Sequence, residues 1–114
     1  MNAESHYNSG VTLQNLGRLE EAKASYQKAI ELKPYYIKAY NNLGLVFKAL
    51  GENQKAISCY EKLLNFDPTY KIAYSNYGNV LLKVFQYNKG LAYIRKGDGV
   101  IRFTQKDFQI IWKE

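Results

Sequence analysis

Residues 37–70 read IKAYNNLGLVFKALGENQKAISCYEKLLNFDPTY, and this stretch decides the fold. Tyr40, Leu43, Gly44 and Phe47 fall at i, i+3, i+4 and i+7, which is one face of a helix. Gly51 interrupts that pattern. Ala56, Tyr60, Leu63 and Leu64 then make a second apolar stripe with helical spacing. Pro68 stops it, since proline disfavours helix in the residue before it. The stretch is therefore a helix–turn–helix, and Gly44 with the small Ala56 lets its two helices approach closely.

The same pattern recurs on either side. Asn8, Asn42 and Asn76 are 34 residues apart, and each is followed two residues later by a glycine: Gly10, Gly44 and Gly78. Tyr26 and Tyr60 share the period, as do Gly17 and Gly51, Ala22 and Ala56, and Pro34 and Pro68. A fixed spacing in this range marks a repeat architecture, in which neighbouring units bury one another's apolar faces. The units run about 3–36, 37–70 and 71–103. The third is degenerate: Phe85 replaces the turn glycine, and Gly90 and Gly97 stand where the others have alanine.

The pattern resembles the tetratricopeptide repeat, whose unit is 34 residues. The second unit matches with Tyr40, Leu43-Gly44, Phe47, Gly51, Ala56, Tyr60, Leu63 and Pro68. The first matches with His6, Ser9-Gly10, Leu13, Gly17, Ala22, Tyr26, Ala29 and Pro34. The resemblance implies an all-α, right-handed superhelix of about three repeats, forming one domain over residues 1–114. Residues 104–114 are expected to cap the open end. They follow an apolar run and begin with Thr104 and Asp107, a pair like a capping box.

With 46% apolar residues the composition is that of a globular protein, and no stretch approaches the ~20 apolar residues of a membrane span. No membrane association is expected. A lone Cys59 excludes an intrachain disulfide and fits a reducing, cytoplasmic location. The net charge is +6, and residues 69–114 carry eight basic against three acidic side chains. These charges are interspersed and form no dense basic run, so the sequence argues against nucleic acid as the partner.

Catalytic chemistry has little to work with. One histidine, His6, and one cysteine cannot make a zinc site. His6 occupies a packing position of the repeat. Gly97-Asp98-Gly99 is no phosphate loop, because no strand precedes it and no Gly-Lys-Ser/Thr follows. The expectation is a chain with no enzymatic activity, no cofactor and no metal.

The resemblance implies that the first helix of each unit lines a concave surface. The candidate peptide-binding residues there are Tyr7, Asn8, Val11, Lys38, Asn42, Leu45, Lys48, Asn76 and Asn79. An asparagine amide offers both an acceptor and a donor, so a row of them can pair with the backbone of an extended peptide. The row resembles that in the tetratricopeptide region of O-linked N-acetylglucosamine transferases. The competing reading is that these asparagines bridge helices. The carboxylate-gripping repeats that hold heat-shock chaperone tails use basic residues where this chain has Tyr7, Ile72 and Asn76 and asparagine where it has Val11 and Asn42, so only Asn42 agrees. The function expected is a module that binds another protein or peptide. The alternatives are a homo-oligomer assembled through the apolar end, with Phe108 and Trp112 as interface residues, and a segment of a larger multidomain protein. Of the tyrosines, Tyr26, Tyr40, Tyr60, Tyr74 and Tyr77 are expected in the core. Tyr35, Tyr36 and Tyr70 are expected to pack between units.

Overall fold

The computed structural model describes residues 2–84. Its elements are α1 (Ala3–Asn15), α2 (Leu19–Leu32), α3 (Ile37–Ala49), α4 (Asn53–Phe66) and α5 (Lys71–Lys83). Two complete helical hairpins and the first helix of a third unit are thus in place, and both apolar stripes read in residues 37–70 fall inside their helices. The all-α repeat superhelix expected from the period is what is found. The second half of the third unit, the capping segment, Phe108 and Trp112 lie outside the described residues.

Local chemistry sets the helix ends. Asn2 caps α1 by accepting from the Ser5 amide at 2.8 Å. Between the helices of each unit, Gly17 and Gly51 have φ of +78° and +80°, a left-handed conformation that costs a glycine nothing. A Cβ at either would meet no neighbour, so the backbone angle alone demands glycine there. At the ends of α2 and α4, Lys33 and Asp67 are extended, as residues before proline prefer to be. Asp67 then accepts from both the amide and the hydroxyl of Thr69, closing the turn into α5.

Each helix packs against the next along the chain, and in addition α1 touches α3 and α3 touches α5, whereas α2 and α4 do not meet. The odd-numbered helices therefore form a continuous inner row, and the even-numbered ones splay on the outside. This arrangement makes the α1–α3–α5 surface the concave one.

The core is built on tyrosines. Tyr26 and Tyr60 are fully buried, with Ala22, Ala29, Ala56, Leu63 and Val46 beside them. Tyr74 and Tyr77 are buried as well, while Tyr40 is half-buried against the edge of the cluster. The role of Gly44 differs from the expectation. A Cβ there would lie 2.6 Å from Tyr60 Cζ, so the glycine makes room for a tyrosine ring rather than for a helix backbone. Gly10 does the same for Tyr26, at 2.6 Å from Cε1. Tyr60 stacks in turn on Tyr77 of the next unit, with ring centroids 6.1 Å apart. Tyr36 and Tyr70 pack between units as expected. Tyr35 also reaches across, to the Phe66 ring of the second unit at 4.9 Å between centroids, but it stays 70% exposed.

This packing makes Gly44 sensitive to a single methyl. Gly44→Ala forces the new group against a ring already stacked on its other side. It should lower stability by at least about 1 kcal/mol in urea unfolding, even though alanine is intrinsically the better helix former. In a Tyr60→Leu background the same change should be neutral or stabilising. A second expectation concerns alkaline pH. Burial pushes the Cys59 thiol up from its ordinary 9.0 to about 12, and the Tyr26 phenol up from 10.0 to about 12. The folded chain thus holds these protons more tightly than the unfolded chain does. Their contribution is complete below pH ~9 and is lost as pH climbs toward 12. The melting temperature should be flat from pH 7 to about 8.5 and then fall, and in Cys59→Ala the fall should begin about one pH unit later.

Candidate functional site

The inner helices present the residues expected to bind, but at different depths. Asn8, Lys38 and Asn79 are exposed, while Tyr7, Val11, Asn42, Leu45, Lys48 and Asn76 are half-buried. Asn41, the neighbour of Asn42, is buried at 6% exposure and belongs to the wall of the groove rather than its surface. At the step from the first unit to the second, Glu4, Tyr7 and Asn8 of α1 face Lys33, Tyr36 and Lys38 across a cleft of about 550 Å³. The Lys33 ammonium sits over the Tyr36 ring, 4.4 Å from its centroid.

The asparagines of α3 and α5 are already engaged. Asn42 Nδ2 donates to the Tyr7 hydroxyl at 3.2 Å and to the Tyr26 hydroxyl at 3.3 Å. Tyr26 in turn donates to Gln14 Oε1 at 2.6 Å. Tyr7 packs against Tyr26 and Tyr36, with centroids 5.9 Å and 5.1 Å away. Asn42 thus ties both helices of the first unit to the second. In the following unit Asn76 acts similarly, donating from Nδ2 to Asn41 Oδ1 at 3.0 Å. The bridging reading of the row is therefore real for these two positions.

This engagement orients the amides. Both hydrogens of Asn42 are committed inward, so the group left for a ligand is its carbonyl oxygen. Asn76 keeps its carbonyl and one hydrogen. Asn8, on the exposed side of α1, keeps both functions. The groove is richer in acceptors than spacing alone suggests, and so suits the N–H groups of an extended strand.

Charge is sorted between the two faces. The ion pairs among the described residues are Arg18–Glu21, Lys23–Glu20, Lys23–Glu52, Lys28–Glu31 and Lys55–Glu52. All of these residues lie on the outer helices or the turns leading into them. Among the described residues no cluster of His, Cys, Asp or Glu could hold a metal ion, and no helix is long and apolar enough to cross a membrane.

Two family profiles match this architecture: one described as "TPR repeat" over residues 15–51 and one as "Tetratricopeptide repeat" over residues 37–70. The chain carries tetratricopeptide repeats. Crystal structures of MamA resemble it at 30% identity and TM-scores of 0.80 and 0.79, each over 87% of this chain. The chain spans only 58% and 54% of those two MamA chains. The tetratricopeptide domain of Arabidopsis OM64 superposes with a TM-score of 0.83 at 20% identity, over 97% of this chain and 91% of that one. The first tetratricopeptide domain of Spaghetti (RPAP3), solved with the HSP90 peptide SRMEEVD, gives 0.80 at 17% identity over 98% and 91%. At such identities these two matches speak for the fold alone. No curated protein sequence matches the chain. None of the comparisons bears on the likeness to O-linked N-acetylglucosamine transferases. Tetratricopeptide repeats are in general protein-interaction modules.

Comparing the two complete units isolates the worth of the amide network. Tyr26→Phe removes a hydroxyl with two partners and should cost about 1 kcal/mol or more. Tyr60→Phe removes a fully buried hydroxyl that has no partner among the described residues, and should be neutral within ~0.5 kcal/mol or stabilising. Urea unfolding of the two variants side by side checks the contrast.

Proposed function

We propose that the chain is a non-enzymatic interaction module that holds an extended segment of another protein against α1, α3 and α5. The observation that carries this reading is the state of the asparagine row. The amides of Asn42 and Asn76 are braced from beneath by Tyr7, Tyr26 and Asn41, yet their carbonyl oxygens have no donor among the described residues. Oriented acceptors spaced along a groove are what the backbone N–H groups of an extended chain require. Bracing removes the ordering cost that free side chains would add on binding.

Around the row, Tyr7, Val11 and Leu45 offer half-buried apolar surface to alternate side chains of the segment, while Asn8, Lys38, Lys48 and Asn79 offer polar contacts. Gripping the backbone in this way is similar to what O-linked N-acetylglucosamine transferase repeats do with their substrates. The carboxylate-clamp mode does not belong to the reading. Where that mode needs cations the chain has Tyr7, Asn76 and Ile72, the last apolar and 59% exposed. A reducing, cytoplasmic location belongs to the same proposal and rests on the lone, buried thiol of Cys59.

Random dodecapeptides selected on the immobilised full chain supply a probe. The double variant Asn8→Ala, Asn79→Ala alters two exposed amides without touching the braced ones. Its affinity for selected peptides should fall at least about tenfold while its melting temperature stays that of the wild type. Selection that yields no binder, or binders indifferent to this variant, would remove the groove reading.

A further inference from the structure

The repeat provides its own internal comparison, and one site fails to repeat. In the first unit the buried Tyr26 hydroxyl donates to Gln14 Oε1 at 2.6 Å and accepts from Asn42 at 3.3 Å. One period later the same three positions hold Tyr60, Lys48 and Asn76. Helices α3 and α4 pair as α1 and α2 do, so Lys48 leaves the backbone where Gln14 does. The chemistry does not carry over. Lysine has three donors and no acceptor, so it cannot receive the phenolic proton. Asn76 directs its amide to Asn41 Oδ1 instead, at 3.0 Å. Tyr60 is fully buried, and its hydroxyl meets no partner among the described residues. Buried polar groups without a partner are rare in native proteins, and each calls for a reason.

The position lacks an acceptor, and the register puts a cationic residue, Lys48, where the first unit has Gln14. We infer that the step between the second and third units is an anchoring pocket for an acidic side chain, aspartate or glutamate, of the bound segment. A carboxylate is acceptor-only and negatively charged. It would pair with the Lys48 ammonium and receive hydrogen bonds from the Tyr60 hydroxyl and the remaining Asn76 amide hydrogen. Lys48 is half-buried and forms no ion pair among the described residues, so its ammonium is available to a carboxylate of the segment. The wider charge pattern agrees. The inner helices carry Lys38, Lys48, Lys71 and Lys83 against Glu4, and no ion pair of the described residues involves any of them. The anchored group is a side chain in mid-segment rather than a chain end, because the groove continues over α1 on one side and α5 on the other. The inference rests on the groove reading above and adds the chemistry of the segment to it.

The test uses the selected dodecapeptides. Binders of the wild-type chain should share one position enriched in Asp or Glu, and replacing that residue by its amide should weaken binding about tenfold. Lys48→Gln, which restores the residue of the first unit, should abolish the acidic preference. Tyr60→Phe should weaken the acidic peptide and leave its amide counterpart unchanged. Lys62→Gln, on the outer face of α4, should alter neither. Binders with no acidic position, or an acidic preference that survives Lys48→Gln, would overturn the pocket while leaving the groove in place. Absence of any binder would overturn both.

Discussion

A tyrosine ring resting on a glycine is the contact from which the rest of this stack is built. Tyr26 lies over Gly10 and Tyr60 over Gly44, each so close that a single methyl would collide. The contact fixes how near the two helices of a unit stand. It also aims a phenolic hydroxyl from the outer helix toward the inner face, and in the first unit the next unit's Asn42 meets it there. Tyr60 carries the relation forward by stacking on Tyr77. Packing within a unit, registry between units and the polarity of the groove thus descend from one steric fit. The exposed i,i+3 pairs Arg18–Glu21 and Lys28–Glu31 contribute little, being of a kind worth less than about 1 kcal/mol each.

The inner face divides into groups with different freedoms. Asn42 and Asn76 are held and keep one function each for a ligand, or little more. Asn8, Asn79 and Lys38 are exposed and adaptable. In the function proposed above, the fixed acceptors take the backbone of the segment and the movable groups take its side chains, so that the surface accepts an extended chain while remaining selective. The match to the domain solved with an HSP90 peptide, at 17% identity, shows the shared fold and no more than that.

Much of this is legible from spacing. The 34-residue period locates all five helices of the described region, both turn glycines and the buried tyrosines, because each depends on residue type at a fixed offset. Spacing gives position and not partner, which is why the rest stays hidden. It places Asn42 on the inner face but cannot show that both amide hydrogens are spent on Tyr7 and Tyr26. It marks Gly44 as a close approach and misses that the approaching group is a ring. It puts Tyr35 and Tyr36 alike at the junction and cannot show that Tyr36 is buried there while Tyr35 stays exposed against Phe66. The substitution of Lys48 for Gln14 is plain in the sequence, and it acquires meaning only once Gln14 is seen accepting from Tyr26.

The first helix contributes a single buried residue, Gly10, whereas α3 contributes six, among them Val46 and Phe47. Beside the Gly10–Tyr26 contact and the packing of Val11 and Leu13, α1 is fastened by the Tyr7 and Gln14 network, so much of what holds the N-terminal wall of the groove is polar and close to its surface. A segment lying across α1 and α3 would stabilise the closed hairpin by mass action. At that end of the groove, in the function proposed, capturing a partner and holding α1 against α3 draw on one equilibrium.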